Sequence, residues 1–319
     1  MDTRRLIAFG DSSHVISLPK QWIKSNNLKK GDIVYLDAKN NEISLFTSER
    51  PIETEAKEIT INIEKDDIDL ARTKIVSAYL NNYDSIIIKN PRGTNRAKEI
   101  KNILRNLTGM EIIRETSESI TAKDLLNKRE ISINTLVRRV DNLLRDILHE
   151  SEKINKEVYE NIFDRDKDVN RMVFLGFRLI NAALSDKSLA NAYKLSNTDL
   201  LYMNIILTKM EKIGDQAKRI VRYLSDCSLT KAEVDELLSI YKIIINGYID
   251  IMKGYHTSNI DIAFQYELES QKWFDMINAI KPIKCANASR GIEHMKGMAT
   301  AVKNISRGII GLKGYPAVN

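Results

Sequence analysis

The stretch from Phe9 to Phe46, FGDSSHVISLPKQWIKSNNLKKGDIVYLDAKNNEISLF, decides how the chain begins to fold. HVISL is a short β-prone run, and TRRLIAF before it supplies a first strand. Pro19 opens PKQWIKSNN at a natural first helical position, because its missing N–H is one that a helix start leaves unpaired anyway. GDIVYLDA and EISLF read as two further strands, joined through Lys39-Asn40-Asn41 in a hairpin-type turn. The order is β-β-α-β-β. Four strands this short bury too little to stand alone and leave their edges unpaired, so a second copy is expected to cover them.

The same residues carry a resemblance. Gly10-x-Ser12-Ser13, the alternating strand after it, Leu18-Pro19-Lys20-x-Trp22 and Leu28-x-x-Gly31-Asp32-x-Val34 resemble the AbrB/MazE/SpoVT family of swapped-hairpin DNA-binding domains. The resemblance implies two chains interleaved into one small β-barrel resting on DNA. It also leaves open an AbrB-like fold used only to dimerise, because a fold does not fix a function. For DNA contact the candidates are Arg4 and Arg5 before the first strand and Lys20 and Lys24 on the short helix. Ser12 and His14 are expected near the backbone.

Beyond this head, residues 51–66 read as an acidic linker running into a strand in which Ile59, Ile61 and Ile63 alternate. A helix over Ile68–Asn81, the strand SIIIK, a helix over Thr94–Leu107, the strand MEIIRET and an extended Ser119–Leu126 make a small α/β domain. The loop Asn90-Pro91-Arg92-Gly93-Thr94 enters a helix, which suits a turn and an N-cap and also has the form of an anion cradle.

From Ser132 onward the pattern is helical. Ile133, Leu136, Val137, Val140, Leu144, Ile147 and Leu148 form one amphipathic stripe. Further helices are predicted near 157–184, 198–225, 230–254, 260–280 and 288–311, with Ser132, Thr198, Thr230 and Asn259 as N-caps. Six helices on short connections suggest antiparallel bundles. The expected organisation is a head over residues 1–50, an α/β domain over 51–127 and a six-helix body over 128–319.

Two helices carry carboxylates four residues apart: Asp164 with Asp168, and Glu211 with Asp215. That spacing puts both acids of a pair on one helix face. Solvated charge is the ordinary meaning of such a pair. Brought together by helix packing, the four would instead form an oxygen-only cluster suited to iron, magnesium or manganese rather than zinc. The strings IFDRDKDVNRM (162–172) and KMEKIGDQAKRIVRYL (209–224) resemble the second and third helices of PhoU domains, and the six helices match a tandem of two three-helix repeats. That resemblance implies a metal site, carried onto Asp164, Asp168, Glu211 and Asp215. It also implies a link to phosphate uptake, with phosphate-transporter components among the partners of such archaeal-type regulators.

Comparing the two halves shows where the pattern fails. Residues 213–224 align with 298–309, which sets Lys218 opposite Lys303, Arg222 opposite Arg307, Glu211 opposite Lys296 and Asp215 opposite Thr300. Glu267 and Glu269 stand opposite Asp166 and Asp168. The second half has therefore exchanged acids for cations, and a second metal cluster is not expected there. Lys296, Lys303 and Arg307 share a face. They either pair with Glu267 or Glu269 in a metal-free network, the favoured reading, or hold an anion.

Composition bounds the rest. The chain has 319 residues, 29% charged and 43% hydrophobic, with few prolines and glycines, and a net charge of +6. From Lys281 to the end there are seven basic residues and a single acid, Glu293, so the excess charge lies at that end. No apolar run reaches bilayer length, and MDTRRLIAFGDSS lacks the apolar core of a signal peptide. Cys227 and Cys285 stand alone, without CxxC spacing, and suggest a reducing, cytoplasmic setting. His14, His149, His256 and His294 are scattered. No catalytic triad, Walker loop or dinucleotide fingerprint appears, so an enzyme is not expected. The favoured function is DNA-binding regulation by a homodimer linked to phosphate uptake. The alternatives are a protein-contact adaptor acting at a phosphate transporter and a sequence-tolerant nucleoid protein.

Overall fold

A computed structural model describes residues 3–11, 13–39, 42–47, 56–91 and 94–313. The chain divides into two compact units, residues 1–56 and 57–319.

The first unit has the expected β-β-α-β-β order: β1 (Ile7–Phe9), β2 (Ser13–Val15), α1 (Lys20–Ser25), β3 (Tyr35–Lys39) and β4 (Glu42–Phe46). The strands form two separate antiparallel pairs, with Ile7 opposite Val15 and Tyr35 opposite Phe46. Pro19 stands one place earlier than expected, as the N-cap of α1 with ψ 128°, because its extended backbone precedes the first helical residue. Gly10 (φ 67°) and Gly31 (φ 100°) occupy turns in the left-handed region, where a side chain would be strained. Of the expected turn Lys39-Asn40-Asn41, the two asparagines lie outside the described residues. Among the described residues of this unit none is buried. Phe9 is 69% and Ile33 70% exposed, and Leu6, Ile7, Val15, Ile16, Leu36 and Ile43 are exposed as well.

The second unit begins with a four-stranded sheet. β5 (Glu58–Asn62), α2 (Ile68–Leu80), β6 (Ser85–Lys89), α3 (Thr94–Arg105), β7 (Met110–Glu115) and β8 (Ser119–Asp124) follow in sequence. In space the strands run β5-β6-β8-β7, with β5 parallel to β6 and the others antiparallel. Ile61, Ile63, Ile86, Ile88, Ile120 and Ala122 turn to one face and bury against Ala71, Ile75 and Ala78 of α2 and Ile100 and Leu104 of α3. The alternation seen in the sequence therefore marks a sheet covered by helices on one side. Asp67 caps α2 by accepting from the Leu70 N–H at 2.7 Å.

Among the described residues, seven α-helices complete the unit: α4 (Ile133–Ser151), α5 (Lys156–Ser185), α6 (Lys187–Tyr193), α7 (Asn197–Ser225), α8 (Lys231–Thr257), α9 (Ile260–Asn278) and α10 (Ala286–Lys313). Helices α4, α5 and α7 pack mutually, as do α8, α9 and α10, and the most extensive pairing is α7 with α10. That seam needs small residues, since a Cβ on Gly291 would come within 2.7 Å of Leu224. The N-caps at Ser132, Thr230 and Asn259 are as expected, with a full capping box between Thr230 and Glu233. Two features differ from expectation. The short α6 was not predicted, and α7 is capped by Ser196 rather than Thr198. Asp199 stands three residues after Ser196 and completes the capping box there, an option Thr198 lacks.

The cysteines also differ. Cys227, just past the end of α7, forms a disulfide with Cys285, just before α10, their Cα atoms 6.2 Å apart. The expectation that the two cysteines stand alone fails here. A separation of 58 residues carries no local signal, and the α7–α10 pairing is what brings the two together. Among the described residues no helix is long and apolar enough to cross a membrane.

Candidate nucleic-acid interface and charged clusters

The head presents its candidate contact residues to solvent. Arg4 and Arg5 precede β1 in exposed backbone, and the Arg4 guanidinium donates to the Thr3 carbonyl at 2.9 Å. His14 lies in β2 opposite Ala8 and is exposed. Lys20 and Lys24 are exposed one helical turn apart on α1, so the structure brings these two onto one face. Ser12 lies outside the described residues. Lys29 and Lys30 are further exposed cations between α1 and β3 that the sequence reading did not single out. The segment is fixed by the Lys29 N–H, which donates to Asp32 at 2.7 Å.

The acids of the helical body are arranged otherwise than the i, i+4 spacing suggests. Ile162, Asp166, Val169 and Val173 form the buried stripe of α5, which turns Asp164 and Asp168 outward. Asp164 pairs with Lys167 at 2.8 Å, and Asp168 with Arg171 at 3.3 Å, all on the same helix. Buried Asp166 instead receives hydrogen bonds from Lys218 of α7 and from the Asn170 amide at 3.3 Å. Lys218 also lies 3.5 Å from Asp215, which is held as well by Arg219 at 3.0 Å and Lys212 at 3.5 Å.

Electrostatics follow from that crowding. Burial, and then the charges of Asp215 and Asp166, push the Glu211 carboxyl up from its ordinary value. Burial acts on Asp215 in the same direction, but the Arg219 hydrogen bond and three nearby cations outweigh it and hold the carboxyl low. His294 of α10 is held low by burial and by the Arg219 charge. Gln216, with its amide oriented to satisfy both neighbours, donates to His294 Nδ1 at 2.7 Å and accepts from Lys212 at 3.1 Å.

These groups do not fit the metal cluster that Asp164, Asp168, Glu211 and Asp215 were expected to form. The four do not converge, and the acids that do meet already have Lys218, Lys212 and Arg219 among them. Among the described residues no group of three or more His, Cys, Asp or Glu side chains is placed to hold a metal ion.

In the second half, Arg307 donates to Glu267 through Nε (3.0 Å) and Nη2 (2.6 Å), and Lys303 lies 3.7 Å from the same carboxylate. Lys296 pairs with Glu293 at 2.9 Å, and the Thr300 hydroxyl donates to the Lys296 carbonyl. Glu269 accepts from Gln265 at 3.1 Å. The ion pairs Asp166–Lys218 and Glu267–Lys303 occupy positions that the alignment of the two halves sets opposite each other.

Two buried polar centres went unnoticed in the sequence. Arg178 of α5 is fully buried. It donates to the Tyr79 carbonyl (2.8 Å), the Tyr83 carbonyl (3.0 Å) and Asp124 (2.8 Å), with its guanidinium over the Tyr79 ring. Asp141 of α4 accepts from Arg145 (3.1 Å) and Tyr248 (2.9 Å) and lies 2.9 Å from His256 Nε2. Both sit within apolar helical stripes, and that interruption is the signal available to a sequence reader.

No curated protein and no solved structure matches this chain. Residues 7–55 match the family described as antidote-toxin recognition MazE, bacterial antitoxin, so the N-terminal unit is similar to MazE/AbrB-like domains.

Proposed function

We propose that the protein is a DNA-binding transcriptional regulator that acts as a homodimer through its head. The observation that carries this reading is the family match over residues 7–55, in a unit whose apolar strands are left uncovered. A second copy covers those strands and sets Arg4, Arg5, Lys20 and Lys24 twice on one surface, in the swapped-hairpin barrel that the AbrB resemblance implies. The helical body is the sensory part, linked to phosphate uptake through its likeness to PhoU domains. Of the two signals that likeness suggests, an anion suits the cation-filled clusters better than a metal does.

The test is DNA binding by the full chain over a range of salt concentrations, with and without promoter competitors. Replacing Arg4 and Arg5 together by alanine should weaken binding. It should also reduce the slope of log K against log salt by about 0.9 for each phosphate no longer neutralised. An unchanged slope means the DNA-binding surface lies elsewhere. Equal affinity for every competitor favours the nucleoid reading, and absence of DNA binding at physiological salt favours the protein-contact adaptor.

A further inference from the structure

The α/β layer and the helical body meet where α2 packs on α5, and beside that contact α2, α3 and α5 wall a cleft of about 560 Å³. Its lining has two characters. Val76 and Leu80 of α2 and Phe174 of α5 are half-buried and apolar, whereas Arg72 and Lys167 are exposed cations and Arg171 is a half-buried one. No aspartate or glutamate is among the described residues that line it. The volume falls in the range of pockets that enclose small organic ligands, and an apolar lining with a few convergent polar groups is the usual composition of such sites.

We propose that this cleft binds a small organic anion, its apolar or flat body against Val76, Leu80 and Phe174 and its acidic group among Arg72, Lys167 and Arg171. Three observations support that ligand class beyond the volume. Arg72 forms no ion pair with any described residue. Arg171, which lines the cleft, has a buried Nε with no hydrogen-bond partner, a polar group that the fold leaves unsatisfied there. Lys167 and Arg171 are held by Asp164 and Asp168, but those pairs are solvent-exposed and cost little to exchange for a bound anion. The acids that resembled half of a metal site thus neutralise two cleft cations that an arriving anion can take over. The site is independent of the DNA-binding reading, since every residue in it belongs to the second unit. An occupant would brace α2 and α3 against α5 at the joint that Arg178 pins, and so stabilise the folded chain by mass action.

The probe is 8-anilinonaphthalene-1-sulfonate, an apolar anion whose fluorescence rises when it leaves water, titrated into the full-length protein. The head also exposes apolar residues, so the diagnostic signal is the saturable component, one probe per chain, that Ser77→Trp removes by filling the cleft. Arg72→Glu should weaken that component about tenfold, the scale of one charge-assisted hydrogen bond. Wild type should also melt higher with the probe than without it, and Ser77→Trp should show no such rise. If Ser77→Trp does not fold, judged by its melting transition without probe, Asn106→Trp fills the cleft from α3 instead. Titrations of both variants that superimpose on wild type overturn the site. Loss in Ser77→Trp with no change in Arg72→Glu leaves an apolar groove and overturns the anion. Displacement by millimolar inorganic phosphate shows that a bare anion suffices and overturns the apolar half.

Discussion

Arg178 is the most demanding residue in the molecule. Its charge is buried on α5, offset by Asp124 and two carbonyls of the α/β layer, so it joins two regions that have separate apolar cores. Arg178→Met would fill much of the same space but leave Asp124 with Lys128, at 3.0 Å, as its one remaining cation among the described residues, beside the Leu126 N–H at 3.1 Å. Removing one partner of a buried pair costs about 3–5 kcal/mol, and the remaining lysine should keep the loss near the lower end. Urea unfolding followed by far-ultraviolet circular dichroism checks this, and a loss under about 1 kcal/mol would show that the joint does not depend on the pair. Glu211 gives a prediction of sign. Its carboxyl is raised in the folded chain, so the native state holds the proton to higher pH than the unfolded state does. Its contribution to stability is present below the ordinary carboxylate range and is lost as pH rises through the raised value. Glu211→Gln should therefore leave acidic stability nearly unchanged, raise neutral stability and remove that part of the pH slope. Melting temperatures from pH 4 to 8 that run parallel in the two proteins would contradict it.

Among the elements, α7 and α10 form the seam of the helical body, and the Cys227–Cys285 disulfide ties the end of one to the start of the other. It closes a loop spanning 58 residues, which contains α8 and α9. By chain entropy such a closure is worth up to about 4 kcal/mol, through the unfolded state it constrains. Cys227→Ser together with Cys285→Ser should lower the urea midpoint by a corresponding amount, and reductant should do the same to wild type. A midpoint indifferent to reductant would show that the cross-link adds nothing. Helix phase governs the acids in the same way. One turn of α5 carries Asp164, Asp166 and Asp168, and the stripe set by Ile162, Val169 and Val173 selects the middle one for burial.

At the scale of the whole molecule, the two units differ in kind. The second has continuous cores, while the first buries no described residue. Paired strands without a core are marginal in water, and an exposed apolar set of this extent marks an interface. The full chain should therefore sediment as a dimer at micromolar concentration, and Phe9→Ser with Ile33→Ser should drive it toward monomer while the second unit stays folded. A monomer that leaves the head protected from proteolysis would contradict the dimer.

Local pattern alone determined the ββαββ order of the head, the alternating isoleucines of the sheet, the long helices and most of their caps. Periodicity and capping act between residues a few places apart, and a sequence displays those directly. The Glu267–Arg307 pairing was legible too, because comparing the halves put the charges on facing helices. Tertiary structure decided the rest. It chose Asp166 over Asp164 and Asp168, surrounded Asp215 with cations, joined Cys227 to Cys285, buried Arg178 against the sheet and opened the cleft beside Phe174. Each of these depends on which helix face meets which neighbour across tens of residues, a fact of packing that local sequence does not contain.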